Sequence, residues 1–232
     1  MNNKFNYIYI AGYGRSGSTL ADTILSASKN AIGLGEARYF QKELNEKRKC
    51  ACGECIESCN FWSSISEKYL KNKSDFFQLY LEHLIQYSKE NNIEFYVDSS
   101  KSTAGSIFWV FKIMFNIQNI KLIIIKRKFS EVIKSVRRGT NNYLQYNDKE
   151  KRFRLLRATI SYYLSHFFAK FLSIFNKTLY ISFDELVSNP NLIILKVNAK
   201  FNLSIDYVNE NWNLSHQIAG NRMKNQKSIN LR

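Results

Sequence analysis

A short loop of glycines and serines at positions 12–19, with the sequence GYGRSGST, constrains the fold of this chain more than any other segment. It follows an apolar run at residues 7–11 that has strand character, and residues 18–28 after it carry apolar side chains at helical spacing. A strand, a tight turn and a helix in this order gather backbone N–H groups and the positive end of a helix dipole around one point. The sequence therefore predicts an anion-binding loop; the alternative is a turn that only connects the two elements.

The loop has the spacing of a nucleoside-triphosphate-binding loop but lacks its lysine. Gly12 and Gly17 match the two glycines of G-x-x-x-x-G-K-[ST], and Thr19 matches its last position. Ser18 stands where the lysine would be, and Arg15 is the one cation of the loop. Because the positive charge lies three residues earlier, we expect an anion that is held differently from ATP.

The rest of the chain alternates short apolar runs with amphipathic patterns. Runs of strand length occupy residues 31–34, 95–97, 122–125 and 178–181. Helical spacing is seen at 76–87 and 129–136, and Asn189-Pro190 predicts the start of another helix. This alternation predicts an α/β fold in three layers, with a central parallel β-sheet flanked by helices. Since no linker or internal repeat is evident, we expect one domain over residues 1–232.

Charge and composition narrow the classes of function. Lys and Arg number 34 against 19 Asp and Glu, a net charge of +15, which favours an anionic partner over a merely solvated basic surface. Hydrophobic residues at 45% and charged residues at 23% exclude a disordered or low-complexity chain. The first 20 residues lack the core of a signal peptide, so we expect a cytoplasmic protein.

An aromatic stripe lies at helical spacing within residues 161–183. Its members are Tyr162, Tyr163, Phe167, Phe168, Phe171 and Phe175. We interpret the stripe first as core packing, and the alternative is a peripheral contact with a membrane surface, which the basic charge would assist.

All four cysteines lie within ten residues, as Cys50, Cys52, Cys55 and Cys59, inside a segment at about residues 48–62. In a cytoplasmic chain such clustering fits a zinc site better than a disulfide framework. The spacing lacks the two well-separated pairs of a zinc finger or ribbon. Free or locally paired thiols therefore remain the alternative.

The strand, the GRSGSTL segment at 14–20 and the following helix resemble the 5′-phosphosulfate loop of sulfotransferases, which use 3′-phosphoadenosine 5′-phosphosulfate (PAPS) as sulfuryl donor. The resemblance implies a P-loop NTPase-like sulfotransferase fold, release of 3′,5′-bisphosphoadenosine (PAP), and no metal requirement for the reaction. The residues that it assigns to the donor's 5′-phosphate and sulfuryl group are Gly14, Arg15, Ser16, Gly17, Ser18 and Thr19.

Two further segments resemble donor-binding parts of the same family. Arg127 and Ser135, in IIIKRKFSEVIKSVRR, resemble the pair that binds the 3′-phosphate, which distinguishes PAPS from ATP. The family usually has Asp-Pro after that arginine, where this chain has Lys128 and Phe129. Near the end of the chain, Asn221 and Arg222 lie in a segment that resembles the C-terminal donor loop.

The resemblance also suggests the catalytic residues. Glu36 lies in Gly35-Glu-Ala-Arg38, which resembles the glutamate motif of many bacterial sulfotransferases, and Lys101 ends a segment whose lysine contacts the sulfuryl group. We expect Glu36 to be the general base and Arg15 and Lys101 to stabilise the negative charge that develops. The alternative for Glu36 is a carboxylate that interacts only with a helix start.

Two other functions remain as alternatives. A kinase or NTPase that uses ATP and magnesium would employ Asp98, at a strand end, as the acid that holds the metal. A basic nucleic-acid-binding module would explain the charge and the many aromatics, but no known binding motif occurs, so we expect no nucleic-acid partner. The acceptor of a sulfotransferase would be a hydroxyl or amine on a sugar, lipid, peptide or small phenol.

Overall fold

Five parallel strands form the centre of the molecule in the computed structural model, which describes residues 5–72, 75–102, 104–137, 151–206 and 216–220. The strands are β1 (Asn6–Ala11), β2 (Ala31–Gly35), β3 (Phe95–Asp98), β4 (Ile120–Lys126) and β5 (Thr178–Ser182). They are ordered β2-β3-β1-β4-β5, and each neighbouring pair is parallel. The prediction of a parallel α/β sheet from five apolar runs is confirmed.

Helices connect and cover the strands. In chain order the α-helices of the described part are α1 (Ser18–Leu25), α2 (Phe40–Asn45), α3 (Ser63–Asn72), α4 (Phe76–Asn91), α5 (Ile107–Asn116), α6 (Phe129–Arg137), α7 (Lys151–Phe175), α8 (Phe183–Ser188) and α9 (Pro190–Phe201). The start of α9 is as predicted, because the Asn189 side chain accepts a hydrogen bond from the N–H of Leu192 at 3.0 Å. Helix α1 ends at Leu25, earlier than residue 28, because the chain turns there to enter β2.

The sheet separates two hydrophobic layers. On β1, Tyr7 and Tyr9 pack with side chains from α2, α3, α4, α5 and α7, whereas Ile8 and Ile10 pack with α1, α8 and α9. Successive side chains of a strand point to opposite faces, so a strand covered on both sides is apolar at every position. The fold therefore has the three layers that the uninterrupted apolar runs predict.

The aromatic stripe of α7 is largely exposed, so the prediction of core packing is wrong for most of it. Tyr163, Phe167 and Phe175 are 60%, 64% and 64% exposed. The buried face of α7 instead carries small side chains such as Ser165 and Ala169. Its backbone lies close to the segment after β3, where the Ser165 carbonyl accepts a hydrogen bond from Ser102 Oγ at 2.8 Å. A peripheral membrane contact stays a prediction.

Among the residues that the structure describes, no helix combines the length and the apolar character required to cross a bilayer.

Candidate active site

The carboxyl ends of the strands bring the predicted residues to one edge of the sheet. The loop at 12–17 follows β1, Glu36 follows β2, Lys101 comes three residues after β3, and Arg127 follows β4. In open α/β sheets ligands bind at this edge, in the crevice outside the strand ends. The topology alone therefore places the candidate residues around a common crevice.

The loop after β1 exposes the start of α1 to a ligand. Gly17, with φ of 99°, occupies the N-cap position, and no side chain of the described residues caps this helix. The first N–H groups of a helix need a partner, and an anion satisfies them well. Ser16 supports the same interpretation: it is 1% exposed, and its Oγ has no hydrogen-bond partner among the described residues.

Gly17 also lets an aromatic ring pack against the loop. A Cβ built on Gly17 would lie 2.7 Å from Cδ2 of Phe183, the first residue of α8. The Arg127 guanidinium lies 3.8 Å from the centroid of the same ring. Phe183 thus contacts both the loop and Arg127.

Arg15 connects the loop to Arg127 and Ser135, the two residues predicted to bind a 3′-phosphate. Its Nη1 donates to the carbonyl oxygen of Ser135 at 3.0 Å and lies 3.2 Å from Ser135 Oγ. Arg127 Nη1 donates to the carbonyl oxygen of Arg15 at 2.9 Å, and Arg127 Nε pairs with Glu131 at 3.2 Å. Arg15, Arg127 and Ser135 therefore form one connected group, and Arg15 is its centre.

Glu36 and Lys101 form an ion pair at the ends of neighbouring strands. The Nζ of Lys101 donates to Oε1 of Glu36, and the two side chains are 19% and 8% exposed. The backbone of Lys101 is left-handed, with φ of 68°, and its carbonyl oxygen accepts hydrogen bonds from Tyr9 at 2.5 Å and Ser106 at 2.9 Å. Glu36 stands at the N-cap of a short 3₁₀ helix at Ala37–Tyr39, but its side chain pairs with Lys101 and does not cap that helix.

The Lys101 side chain also lies beside Gly14 of the loop. A Cβ built on Gly14 would lie 3.9 Å from Nζ of Lys101 and 3.8 Å from its Cε. The ammonium is thus adjacent to the loop as well as to Glu36. Lys101 therefore links Glu36 to the loop that contains Arg15.

The C-terminal segment 216–220 closes one side of the site. The N–H of Glu36 donates to the carbonyl oxygen of Ile218 at 2.9 Å. A Cβ on Gly220 would lie 3.4 Å from Thr19 Oγ1 and 3.8 Å from Glu36 Oε1. Asn221 and Arg222, predicted to contact the donor, lie outside the described residues, but the residue before them is adjacent to the loop and to Glu36.

Asp22 is a residue of the site region that the sequence patterns did not indicate. It is fully buried on α1 and accepts hydrogen bonds from Gly35 N–H at 3.0 Å, Ser99 Oγ at 2.8 Å and Gln217 Nε2 at 2.8 Å. Burial raises the pKa of Asp22 to about 8, although the bonds from Ser99, Gln217 and Gly35 oppose the shift. The feature that could have indicated Asp22 is an acidic residue between apolar positions of a helix.

Asp98 does not have the surroundings of a magnesium ligand. It is 0% exposed, and its carboxylate accepts hydrogen bonds from Tyr7 Oη at 2.7 Å, Trp109 Nε1 at 2.9 Å and the Ser100 N–H at 2.7 Å. Burial raises the pKa of Asp98. A carboxylate enclosed by three donors is a structural group, which weakens the alternative of an ATP-dependent kinase.

His83 and His166 have the surroundings expected of packing residues. Both lie within helices, α4 and α7, and burial lowers the pKa of each, that of His83 to about 4. His83 lies beside Ser64, and His166 lies beside Tyr162, whose ring contacts Tyr13 of the loop.

A cavity of about 290 Å³ adjoins Arg127 at the ends of β4 and β5. Its lining residues are Lys126, Arg127, Lys128, Glu131, Ser182, Phe183 and Asp184. It combines three basic and two acidic side chains with one aromatic ring, a lining that suits a small polar molecule with a planar part.

A comparison with protein families identifies the relatives of this chain. Over residues 7–207 the sequence matches the model of the sulfotransferase family. The chain belongs to the sulfotransferase family. The loop, the Arg127 segment and the Glu36 segment, from which the resemblance was inferred, all lie within the matched region. A comparison with curated proteins found no match.

Solved sulfotransferase structures share the fold. The sulfotransferase domain from the curacin biosynthetic pathway is 20% identical, with a TM-score of 0.63 over 87% of this chain and 75% of that one. The domain from the Synechococcus PCC 7002 olefin synthase is 14% identical, with a TM-score of 0.61 over 88% and 76%. The sulfotransferase STF1 from Mycobacterium tuberculosis H37Rv is 10% identical, with a TM-score of 0.56 over 87% of this chain and 68% of that one. These similarities show the sulfotransferase fold.

Proposed function

We propose that this sulfotransferase moves a sulfuryl group from PAPS to a hydroxyl or amine acceptor. The observation that carries the proposal is the meeting of two groups at one loop: Arg15 with Arg127 and Ser135, and Glu36 with Lys101. A donor with phosphate on both the 5′ and 3′ positions needs two anion sites. An acceptor that must lose a proton needs a base beside one of them.

The residues at the loop fit the 5′ end of the donor. The uncapped start of α1 and the unpartnered Oγ of buried Ser16 are donors suited to phosphate oxygens. Arg127 and Ser135 supply the cation and hydroxyl that a 3′-phosphate would use, and Arg15 is hydrogen-bonded to both of them. The adjoining cavity, with Phe183 in its wall, is the space we assign to the nucleoside.

Glu36 and Lys101 suit two needs of sulfuryl transfer: a group that accepts the acceptor's proton, and a cation that balances the negative charge. PAPS supplies a sulfuryl group whose bond to the 5′-phosphate breaks as a new S–O or S–N bond forms on the acceptor. The Glu36 carboxylate takes the proton that the acceptor loses. Lys101 and Arg15 balance the negative charge on the sulfuryl oxygens and on the leaving phosphate. We propose a small phenol, sugar, lipid or peptide as the acceptor.

Thermal unfolding in the presence of nucleotides tests the donor assignment. PAP at about a hundred times its dissociation constant should stabilise the chain by about 2.7 kcal/mol, or about 5–10 °C in melting temperature. AMP, which lacks the 3′-phosphate, should give a much smaller shift at the same concentration. Stabilisation by ATP with magnesium but not by PAP would overturn the proposal in favour of a kinase. Binding to arbitrary DNA with no response to PAP would instead favour the nucleic-acid-binding alternative.

A further inference from the structure

Three of the four cysteines meet a histidine from the other end of the chain. The sulfur atoms of Cys50, Cys52 and Cys59 and a ring nitrogen of His216 all lie within 4.8 Å of one another. The Cys52 and Cys59 sulfurs are 3.7 Å apart, and His216 Nδ1 is 3.2 Å from the Cys59 sulfur and 4.0 Å from that of Cys50. Cys55, the fourth cysteine, is not part of this group.

We propose that Cys50, Cys52, Cys59 and His216 bind one structural Zn²⁺ ion. Tetrahedral zinc with S–Zn bonds of about 2.3 Å and N–Zn bonds of about 2.0 Å places two sulfurs about 3.8 Å apart, and a sulfur and a nitrogen about 3.5 Å apart. The S–S separation of 3.7 Å is close to the first value, and the S–N separations of 3.2 and 4.0 Å lie on either side of the second. Three thiolates and one imidazole form a complete zinc coordination sphere, so the site has no open position for catalysis.

Two of the three clustered cysteines, Cys50 and Cys59, are buried, and Cys52 is exposed. All four cysteines are free thiols in the structure, so no disulfide competes for these sulfurs.

The position of His216 is set by contacts that do not need the metal. Its carbonyl oxygen accepts a hydrogen bond from Trp62 Nε1 at 2.6 Å, and its N–H donates to the carbonyl oxygen of Gly33 at 3.0 Å. Its ring stacks against Phe61, with centroids 5.6 Å apart. The imidazole is therefore held beside the cysteine loop before any ion binds, which reduces the entropy lost on coordination.

The ion would join the cysteine loop to the segment that closes the active site. His216 begins segment 216–220, in which Ile218 bonds to Glu36 and Gly220 lies beside Thr19. Cross-linking His216 to Cys50, Cys52 and Cys59 therefore restrains the segment next to the candidate base. The role is structural and does not depend on the donor or the acceptor of the reaction.

Metal analysis with a matched pair of variants tests the site. Cys52 and Cys55 are both exposed in the same loop, so Cys52→Ser and Cys55→Ser make the same small change on the surface. Protein purified without chelator and analysed by mass spectrometry of its elements should carry about one zinc per chain in the wild type and in Cys55→Ser. Cys52→Ser should lose most of the zinc, and its melting temperature should no longer respond to a chelator.

Cobalt substitution gives a readout that needs no variant. Wild-type chain loaded with Co²⁺ should show the intense visible and near-ultraviolet absorption of tetrahedral cobalt bound to thiolates, and His216→Ala should alter that spectrum. A wild-type chain that takes up neither zinc nor cobalt would overturn the proposal, as would equal loss of zinc in Cys55→Ser and Cys52→Ser. A disulfide between two of the three clustered cysteines in freshly purified protein would also overturn it.

Discussion

The ammonium of Lys101 and the carboxylate of Glu36 form an ion pair across the carboxyl ends of β2 and β3, which are neighbours in the sheet. The two residues are 65 positions apart in the chain, and the Lys101 ammonium also lies beside Gly14 of the loop after β1. An acid and a cation held together in this way can accept a proton and balance new negative charge within one small volume.

Replacement of the candidate base tests that arrangement. Glu36→Gln keeps the size and most of the hydrogen bonding of the side chain but cannot accept a proton. We expect turnover to fall about 10²–10⁴-fold, with little change in the affinity for PAP. The measurement is release of PAP from PAPS with an acceptor found in a panel of phenols, sugars and amines, beside calorimetric titration with PAP. Near-full turnover in Glu36→Gln would show that Glu36 is not the base.

The hydroxyl of Ser135 should discriminate donors by their 3′-phosphate. Ser135→Ala removes an Oγ that lies 3.2 Å from Arg15, so the affinity for PAP should fall about tenfold while that for AMP stays nearly constant. Ser130→Ala, an exposed serine of the same helix, is the matched control and should leave both affinities unchanged. Equal weakening of PAP and AMP by Ser135→Ala would contradict the assignment.

Alanine substitution at two glycines with similar backbone angles distinguishes the cost of backbone strain from that of a steric clash. Gly17 and Gly53 have φ of 99° and 97°, but a Cβ on Gly17 would meet Phe183 at 2.7 Å, whereas one on Gly53 would meet nothing within 4 Å. Gly53→Ala should cost about 1–2 kcal/mol from backbone strain. Gly17→Ala should cost about 1–3 kcal/mol more, because Phe183 must move. Urea unfolding measures both, and equal costs would exclude a tight contact at Gly17.

The raised pKa of Asp22 predicts how stability changes with pH. The folded chain retains a proton on Asp22 up to a pH of about 8, whereas an unfolded aspartate releases it near its ordinary pKa of about 4. The unfolded state then binds fewer protons between these values, so the free energy of unfolding should fall as the pH rises from about 4 to 8. Asp22→Asn should lack this decline.

A comparison of the wild type with Asp22→Asn separates the contribution of Asp22 to the free energy of unfolding from that of other titrating groups. Thermal or urea unfolding of both at several pH values between about 5 and 8 gives the difference in stability as a function of pH. That difference should move steadily in favour of Asp22→Asn as the pH rises. A difference that stays constant would mean that Asp22 is ionised in the folded chain throughout this range.

Much of the fold was predictable because it depends on local patterns. Apolar runs of strand length gave all five strands, and the dipeptide Asn189-Pro190 gave the start of α9. The loop after β1 was predictable for the same reason, since strand, glycines and helix follow one another directly. The exposed face of α7 was predicted wrongly, because helical spacing shows that a face is apolar but not that a neighbour covers it.

Contacts between distant segments were the part that sequence patterns could not supply. Cys59 and His216 are 157 residues apart, and the pattern of cysteines pointed to Cys55 as readily as to the others. Arg15 was predicted for the 5′ end of the donor, yet its side chain also bonds to Ser135, 120 residues away.

The amino-acid order of this chain specifies its strands, several of its helices and the turn between β1 and α1, because these follow from hydrophobic period and from the backbone preferences of glycine and proline. Packing decides the rest. The parallel order β2-β3-β1-β4-β5 brings Glu36, Lys101 and Arg127 to one edge, and the return of segment 216–220 places His216 beside three cysteines. Side chains so far apart in sequence become neighbours only when burial of both faces of the sheet selects one arrangement of the whole chain.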